Sequence, residues 1–285
     1  MAKVTMELIK ELREKTQVGM MDCKKALISA DGDMERAIEI LRKKGASVAS
    51  KRSGHATDNG IIAGYVTPDH KIGALLEISC ETDFAANTED MKTFAKTVCE
   101  HISNTKEACM LTCDESYIKT LLDDLMAKIS ENIKLSQCTR FEPKENGFVN
   151  VYIHPGATLG TIIELDVTGL SEKNRNAIAQ LSRDLCMQIA VTNPICIEPT
   201  QLDETTLEKE RNLIREQLKE GGKPAEIIEK ILVGKMNKYY EAVCLLNQKY
   251  IKQDKLTIEK HIKEIAKETG CKIKIKEYKR FMIGK

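Results

Sequence analysis

The side chains able to do covalent chemistry are scattered along this sequence and do not gather into a reacting group. His55, His70, His101, His154 and His261 are far apart, and His70 and His154 sit in turn-like stretches beside prolines. A general base or a metal-ligand set needs partners within reach, and the scattered histidines form no recognisable motif of that kind, His154 beside Pro155-Gly156 reading as a turn residue and not a base. Ten cysteines include no Cys-x-x-Cys, and the nearest pair, Cys109 and Cys113, lacks a second pair at zinc-site spacing. Phosphate-cradling Gly-x-x-x-x-Gly-Lys-Ser/Thr, Gly-x-Gly-x-x-Gly, Gly-x-Ser-x-Gly and His-Glu-x-x-His are all missing from the sequence. One segment has a different kind of chemistry: Glu81-Thr82-Asp83-Phe84-Ala85-Ala86-Asn87 sets an aromatic ring beside a carboxylate among small residues. That combination suits insertion into a partner, with Phe84 filling an apolar pocket and Asp83 disturbing a charged site. The alternative is that Phe84 packs under its own helix while Asp83 caps it. The expectation is a protein that binds, not an enzyme.

The elements that position this segment can be read from periodicity. Ile61–Val66 and Ile72–Ile78 are strand-like and joined by the turn Thr67-Pro68-Asp69-His70. The segment follows, and then a helix with Met91, Phe94, Ala95, Val98 and Ile102 on one face. Residues 117 to 134 predict another, through Ile118, Leu121, Leu122, Leu125 and Ile129. The order then recurs: Phe148–Ile153, the turn His154-Pro155-Gly156, Leu159–Val167, and a helix carrying Ile178, Leu181, Leu185 and Ile189 that stops before Pro194. This predicts an α+β fold with two related subdomains, each a small antiparallel sheet covered by helices. The first spans 56–143 and carries the Thr-Asp-Phe segment; the second comprises 144–202 and 246–285.

Residues 1–52 predict a three-helix module. Leu8, Ile9 and Leu12 share a face, Gln17-Val18-Gly19 makes a break, and Cys23, Ala26 and Leu27 form the second helix. Asp33 caps a third with Met34, Ala37, Ile38 and Leu41, and Gly45 is expected to end it. Ala46 to Asn59, rich in Ser, Lys and small residues, reads as a linker. Within 203–245, Leu207, Leu213, Ile214 and Leu218, then Gly221-Gly222-Lys223-Pro224, then Ile227, Ile228, Ile231 and Leu232 describe an inserted antiparallel helical hairpin. Ile258, Ile262, Ile265 and Ala266 predict a further helix, and the alternation Lys272-Ile273-Lys274-Ile275-Lys276 predicts an edge strand guarded by lysines.

Composition narrows the partners. The 285 residues hold 44 basic and 43 acidic side chains, a net charge of +1. Nucleic acid and anionic membranes select clustered positive charge, so neither is expected as a direct partner. Aromatic residues are 4% of the chain and Trp is absent, too few for base-stacking platforms. No apolar run approaches the roughly 20 residues that span a bilayer. Met1-Ala2-Lys3-Val4-Thr5 lacks the apolar stretch of a signal peptide, so a cytoplasmic, reduced chain is expected.

Several segments together resemble the elongation factor Ts family. Leu12-Arg13-Glu14-Lys15-Thr16 and Gly19-Met20-Met21-Asp22-Cys23-Lys24-Lys25-Ala26-Leu27 look like its amino-terminal signature. Gly32-Asp33 and Leu41-Arg42-Lys43-Lys44-Gly45 follow, and Glu77 through Thr82-Asp83-Phe84-Ala85 resembles its central motif. Ser130-Glu131-Asn132-Ile133, Gly222-Lys223-Pro224 and Gly234-Lys235-Met236 also match, and the likeness runs from about residue 3 to 283. The resemblance implies a guanine nucleotide exchange factor that binds elongation factor Tu, GDP-bound or nucleotide-free, disturbs its Mg²⁺ site and promotes GDP release during translation elongation. It implies a ubiquitin-associated-like bundle touching the partner's nucleotide-binding domain, through Leu12, Gly19, Met20 and Met21. It implies that Thr82, Asp83, Phe84 and Ala85 form the loop that dislodges Mg²⁺, with Asp83 and Phe84 wedged between partner helices. No cofactor is implied, and the hairpin is a site of homodimerisation in some members.

Departures are visible too. Gln17-Val18 replaces the family's usual Gly-Ala, Gln188 stands where His is usual, and the sequence stops soon after Phe281, so the terminal helical module of some relatives is expected to be absent. Two other classes also suit a small bundle on a binding protein. An adaptor would dock without changing nucleotide turnover, and an RNA-binding accessory would show a strong salt slope.

Overall fold

The computed structural model describes residues 4–52, 54–105, 116–221 and 224–284. Cys109 and Cys113 lie outside the described residues, as does the Gly222-Lys223 part of the hairpin turn. Helices α1 (Met6–Thr16), α2 (Met20–Ser29) and α3 (Met34–Arg52) form the amino-terminal bundle. Thr5 caps α1 by accepting from the Leu8 N–H, and the Asp33 carboxylate accepts from the Arg36 N–H at the start of α3. Ile9, Leu12, Val18, Cys23, Leu27, Ala37 and Leu41 close its core. Gln17 turns the chain out of α1 in the left-handed region, at φ 57° and ψ 13°. A Cβ is strained there by about 1–2 kcal/mol, which explains why glycine suits this position. Gln17→Gly is therefore expected to raise the unfolding free energy by about 0.5–1 kcal/mol. A thermal melt checks this, and an unchanged or lowered midpoint contradicts it.

The third helix is longer than the sequence suggests. Gly45 does not end it: α3 runs on to Arg52, so the first half of the expected linker is helical. The reason lies in packing. A Cβ built on Gly45 would fall 2.2 Å from the Asp123 carbonyl oxygen and 3.1 Å from the Ala127 Cβ. Glycine here allows α3 to lie against α6 (Ser116–Ile129), and Arg42 pairs with Asp124 at 2.9 Å beside that contact.

Strands β1 (Asn59–Val66), β2 (Gly73–Cys80) and β3 (Ile133–Phe141) form an antiparallel sheet in that order. The helix expected over 117–134 thus stops at Ile129, because Ser130 takes φ 60° and the chain then enters β3. β4 (Gly147–Ile153), β5 (Leu159–Thr168) and β8 (Lys272–Met282) form the second antiparallel sheet, with β8 at its edge as its lysines suggest. α4 (Asp83–Ala86), α5 (Glu89–Asn104) and α6 cover one sheet; α7 (Glu172–Thr192) and α10 (Ile258–Thr269) cover the other. The sheets pack face to face through Ile62, Leu75, Phe141, Val149, Ile162 and Phe281. Their approach is close, since a Cβ on Gly160 would lie 2.5 Å from the Ile62 Cγ2. The result is a four-layer α+β core. Between α7 and β8, α8 (Glu204–Glu220) and α9 (Ala225–Val243) make the hairpin, joined by a thin seam of Leu207, Ile214, Leu232 and Met236. A short β6–β7 hairpin (Lys249–Tyr250 and Gln253–Thr257), not anticipated from the sequence, returns the chain to α10.

Candidate partner-binding site

β2 is buried along its whole length and delivers the chain to the surface at Glu81. Thr82 stops the strand in an extended conformation, and its Oγ1 accepts from the Ala85 N–H at 3.2 Å, capping the single turn α4. Ala85 and Ala86 are buried under that turn, where their small side chains let it sit against the core. Thr88 closes the far end by donating to the Ala85 carbonyl and capping α5. Between these fixed points stands Phe84, with 82% of its surface exposed, beside the exposed Asp83. The ring does not pack under its own helix, and Thr82, not Asp83, is the cap.

The perch is held from below by a second loop. The Glu131 carboxylate accepts from the Thr82 N–H at 3.1 Å and from the Thr82 hydroxyl at 2.7 Å. That hydroxyl therefore donates to Glu131 while it accepts from Ala85. In exchange, Glu81 accepts from the Asn132 N–H at 2.7 Å, from Arg52 at 3.0 Å and from the His55 ring at 2.9 Å. The Asn132 N–H, then His55 and Arg52, hold the Glu81 carboxyl down to a pKa of about 2, so it stays ionised as an anchor. Two motif segments about fifty positions apart thus interlock because β2 and β3 are neighbours.

The amino-terminal positions divide. Leu12 is fully buried in the bundle core, so it shapes the surface and does not form it. Gly19 precedes α2 as its N-cap, and Met20 and Met21 are exposed on its first turn. Gln188 is buried and structural: its amide donates to Gln248 and to the Lys249 carbonyl, and its oxygen accepts from the Ile251 N–H. His70 stacks on Phe148 and His261 on Tyr250. Among the described residues no group of three His, Cys, Asp or Glu side chains is arranged to hold a metal ion. No described helix is long and apolar enough to cross a membrane.

The family described as Elongation factor TS matches residues 81–285. The chain belongs to the elongation factor Ts family. Elongation factor Ts of Clostridium botulinum (strain Eklund 17B / Type B) is 38% identical over 287 residues, covering 99% of this chain and 93% of its own length. That of Clostridium perfringens (strain SM101 / Type A) is 39% identical over 287 residues with the same coverage, and that of Clostridium acetobutylicum 38% over 291, covering 99% and 92%. Membership in the elongation factor Ts family places the chain in protein biosynthesis, as a translation elongation factor.

Sequence reading missed the anchors. Glu131 and Asn132 appeared only as part of a motif, and Arg52 and His55 fell in a stretch read as linker. The available signal was the acidic Glu81 next to Thr82, a buried-strand terminus that needs donors from somewhere.

Proposed function

We propose that this chain is a guanine nucleotide exchange factor, not an enzyme, that binds elongation factor Tu in its GDP-bound and nucleotide-free states. It disturbs the partner's Mg²⁺ site with the Thr82–Ala85 turn, releases GDP and leaves the partner free to take GTP, in the cytoplasm and without a cofactor of its own. One observation carries this reading: an exposed aromatic ring held on a one-turn helix whose two ends and underside are fixed. A ring left in water on a rigid support gains apolar burial only from a second protein, and loses little entropy in doing so. GDP and Mg²⁺ support each other's binding to a GTPase, so a group that displaces the metal weakens the nucleotide. The same ratio then applies in reverse, and GDP weakens the factor. Met20 and Met21 on the bundle supply a second, adaptable apolar contact to the same partner.

The reading assigns four working units: 1–52, 56–143, 144–202 with 246–285, and 203–245. In the last, exposed Leu213, Ile227 and Val233 offer an apolar face to a second copy of the chain. Neither nucleic acid nor membrane is a partner in this scheme. Stopped-flow release of fluorescent GDP from elongation factor Tu tests it: release accelerates with chain concentration, and native mass measurement finds a complex that added GDP dissociates. A stable complex with an unaltered release rate would identify an adaptor instead.

A further inference from the structure

The helical hairpin leaves the core after α7 and returns through α9, and the two chain segments meet at its root. The Ile195 and Cys196 N–H groups donate to the Val243 carbonyl at 2.8 and 3.3 Å. The Leu245 N–H donates to the Cys196 carbonyl at 2.9 Å, and the Leu246 N–H to that of Ile197 at 3.0 Å. This short ladder makes Cys196 and Cys244 bridge partners, and their Sγ atoms lie 3.4 Å apart. Both are free thiols. Paired backbones run about 4.7–4.9 Å apart, inside the roughly 4.4–6.8 Å Cα separation that a disulfide spans. Closing a bond of about 2.05 Å therefore needs a small side-chain movement and no rearrangement of the ladder. The other buried thiols among the described residues have different neighbours: Cys23 donates to the Val18 carbonyl, Cys80 to that of Thr82, Cys99 to that of Ala74, Cys186 to that of Asn150 and Cys271 to that of Gly169.

We propose that Cys196 and Cys244 form an oxidation site, a disulfide clasp across the root of the hairpin. Its formation is independent of nucleotide exchange and requires a two-electron acceptor of the peroxide or organic disulfide class. With hydrogen peroxide, the Cys196 sulfur, at the rim of the site with 8% of the residue exposed, attacks one peroxide oxygen. The O–O bond breaks, one water leaves and Cys196 becomes a sulfenic acid. The Cys244 sulfur, wholly buried behind it, then attacks that sulfur; the S–O bond breaks, a second water carries away the remaining oxygen, and the S–S bond forms. Burial raises both thiols, Cys244 to about 12, which keeps the thiolate fraction low and makes the oxidation slow at neutral pH. The bond would join the two ends of the segment that carries α8 and α9, restricting how the hairpin pivots on the core.

The test uses the full chain, reduced and then exposed to hydrogen peroxide or oxidised glutathione, with remaining thiols alkylated before peptide mapping. The expected major product links the peptide bearing Cys196 to that bearing Cys244. A protease cut within the hairpin should then leave fragments joined until a reductant is added. The thermal midpoint should rise by several degrees on oxidation, and Cys196→Ser should abolish both the link and the rise. Full alkylation of both thiols after oxidation overturns the proposal, as does a link that appears only when the chain has first been unfolded. The map on the unaltered chain decides the question even if the variant folds poorly.

Discussion

Phe84→Ala is expected to slow the release of labelled GDP from elongation factor Tu at least tenfold while leaving the melting midpoint of the chain unchanged. The two halves of this outcome have separate causes. Stability is spared because the ring is exposed and touches little of its own fold, whereas Thr82, Ala85 and Thr88 hold the turn without it. Exchange suffers because burial of one phenylalanine side chain contributes about 1.5–3 kcal/mol, and each tenfold in an equilibrium or rate corresponds to about 1.4 kcal/mol. A fully coupled ring is thus worth one to two decades. Reciprocity adds a second readout: GDP should dissociate the variant complex less effectively than the parent complex. An unchanged release rate for Phe84→Ala would remove the ring from the mechanism.

Gly45→Ala and Gly234→Ala should move stability in opposite directions, although both replace a mid-helix glycine. On helix propensity alone each gains about 1 kcal/mol. Gly234 in α9 has no atom within 4 Å of the added Cβ, so the gain should appear. At Gly45 the Cβ would meet the Asp123 carbonyl oxygen at 2.2 Å, an atom of the α6 backbone that cannot rotate aside. Overpacking costs about 1–3 kcal/mol and here belongs at the upper end, for a net loss of about 2 kcal/mol. In a chain of this size that lowers the midpoint by roughly 4–8 °C. Differential scanning calorimetry on both variants checks the pair. Equal shifts would mean that α3 and α6 do not approach as closely as described.

The same glycine shows what sequence patterns reveal and what they hide. Amphipathic spacing identifies α5, α7 and α10 because Met91, Phe94 and Val98, or Ile178, Leu181 and Leu185, face a core that rewards periodic burial. Gly45, followed by small and polar residues, carries the same signature as a helix stop. Only the neighbouring helix distinguishes a terminus from a close crossing, and α6 lies some eighty positions away. β3 escaped notice for a related reason. Lys134, Gln137 and Ser136 are not buried, and an edge strand of that composition lacks alternation strong enough to stand out. Phe84 could be recognised by type and company but not by state, since a ring in a loop is buried or exposed according to contacts that no local pattern encodes. Its supports were even less legible, because the Glu131–Thr82 and Glu81–Asn132 bonds exist only after β3 has docked beside β2.

The two sheets place different demands on a chain emerging from synthesis. β1 and β2 are joined by a tight turn, and β3 reaches them after α4, α5 and α6, so the platform beneath Phe84 closes early from nearby segments. The second sheet waits: Thr168 at the end of β5 pairs with Lys272 at the start of β8, and the whole hairpin intervenes. Such distant pairing is slow, because loop closure must be met before contacts reward it. Until β8 arrives, β5 presents an unpaired edge of Ile162, Ile163 and Leu165, and this interval is when a nascent chain is most exposed to aggregation.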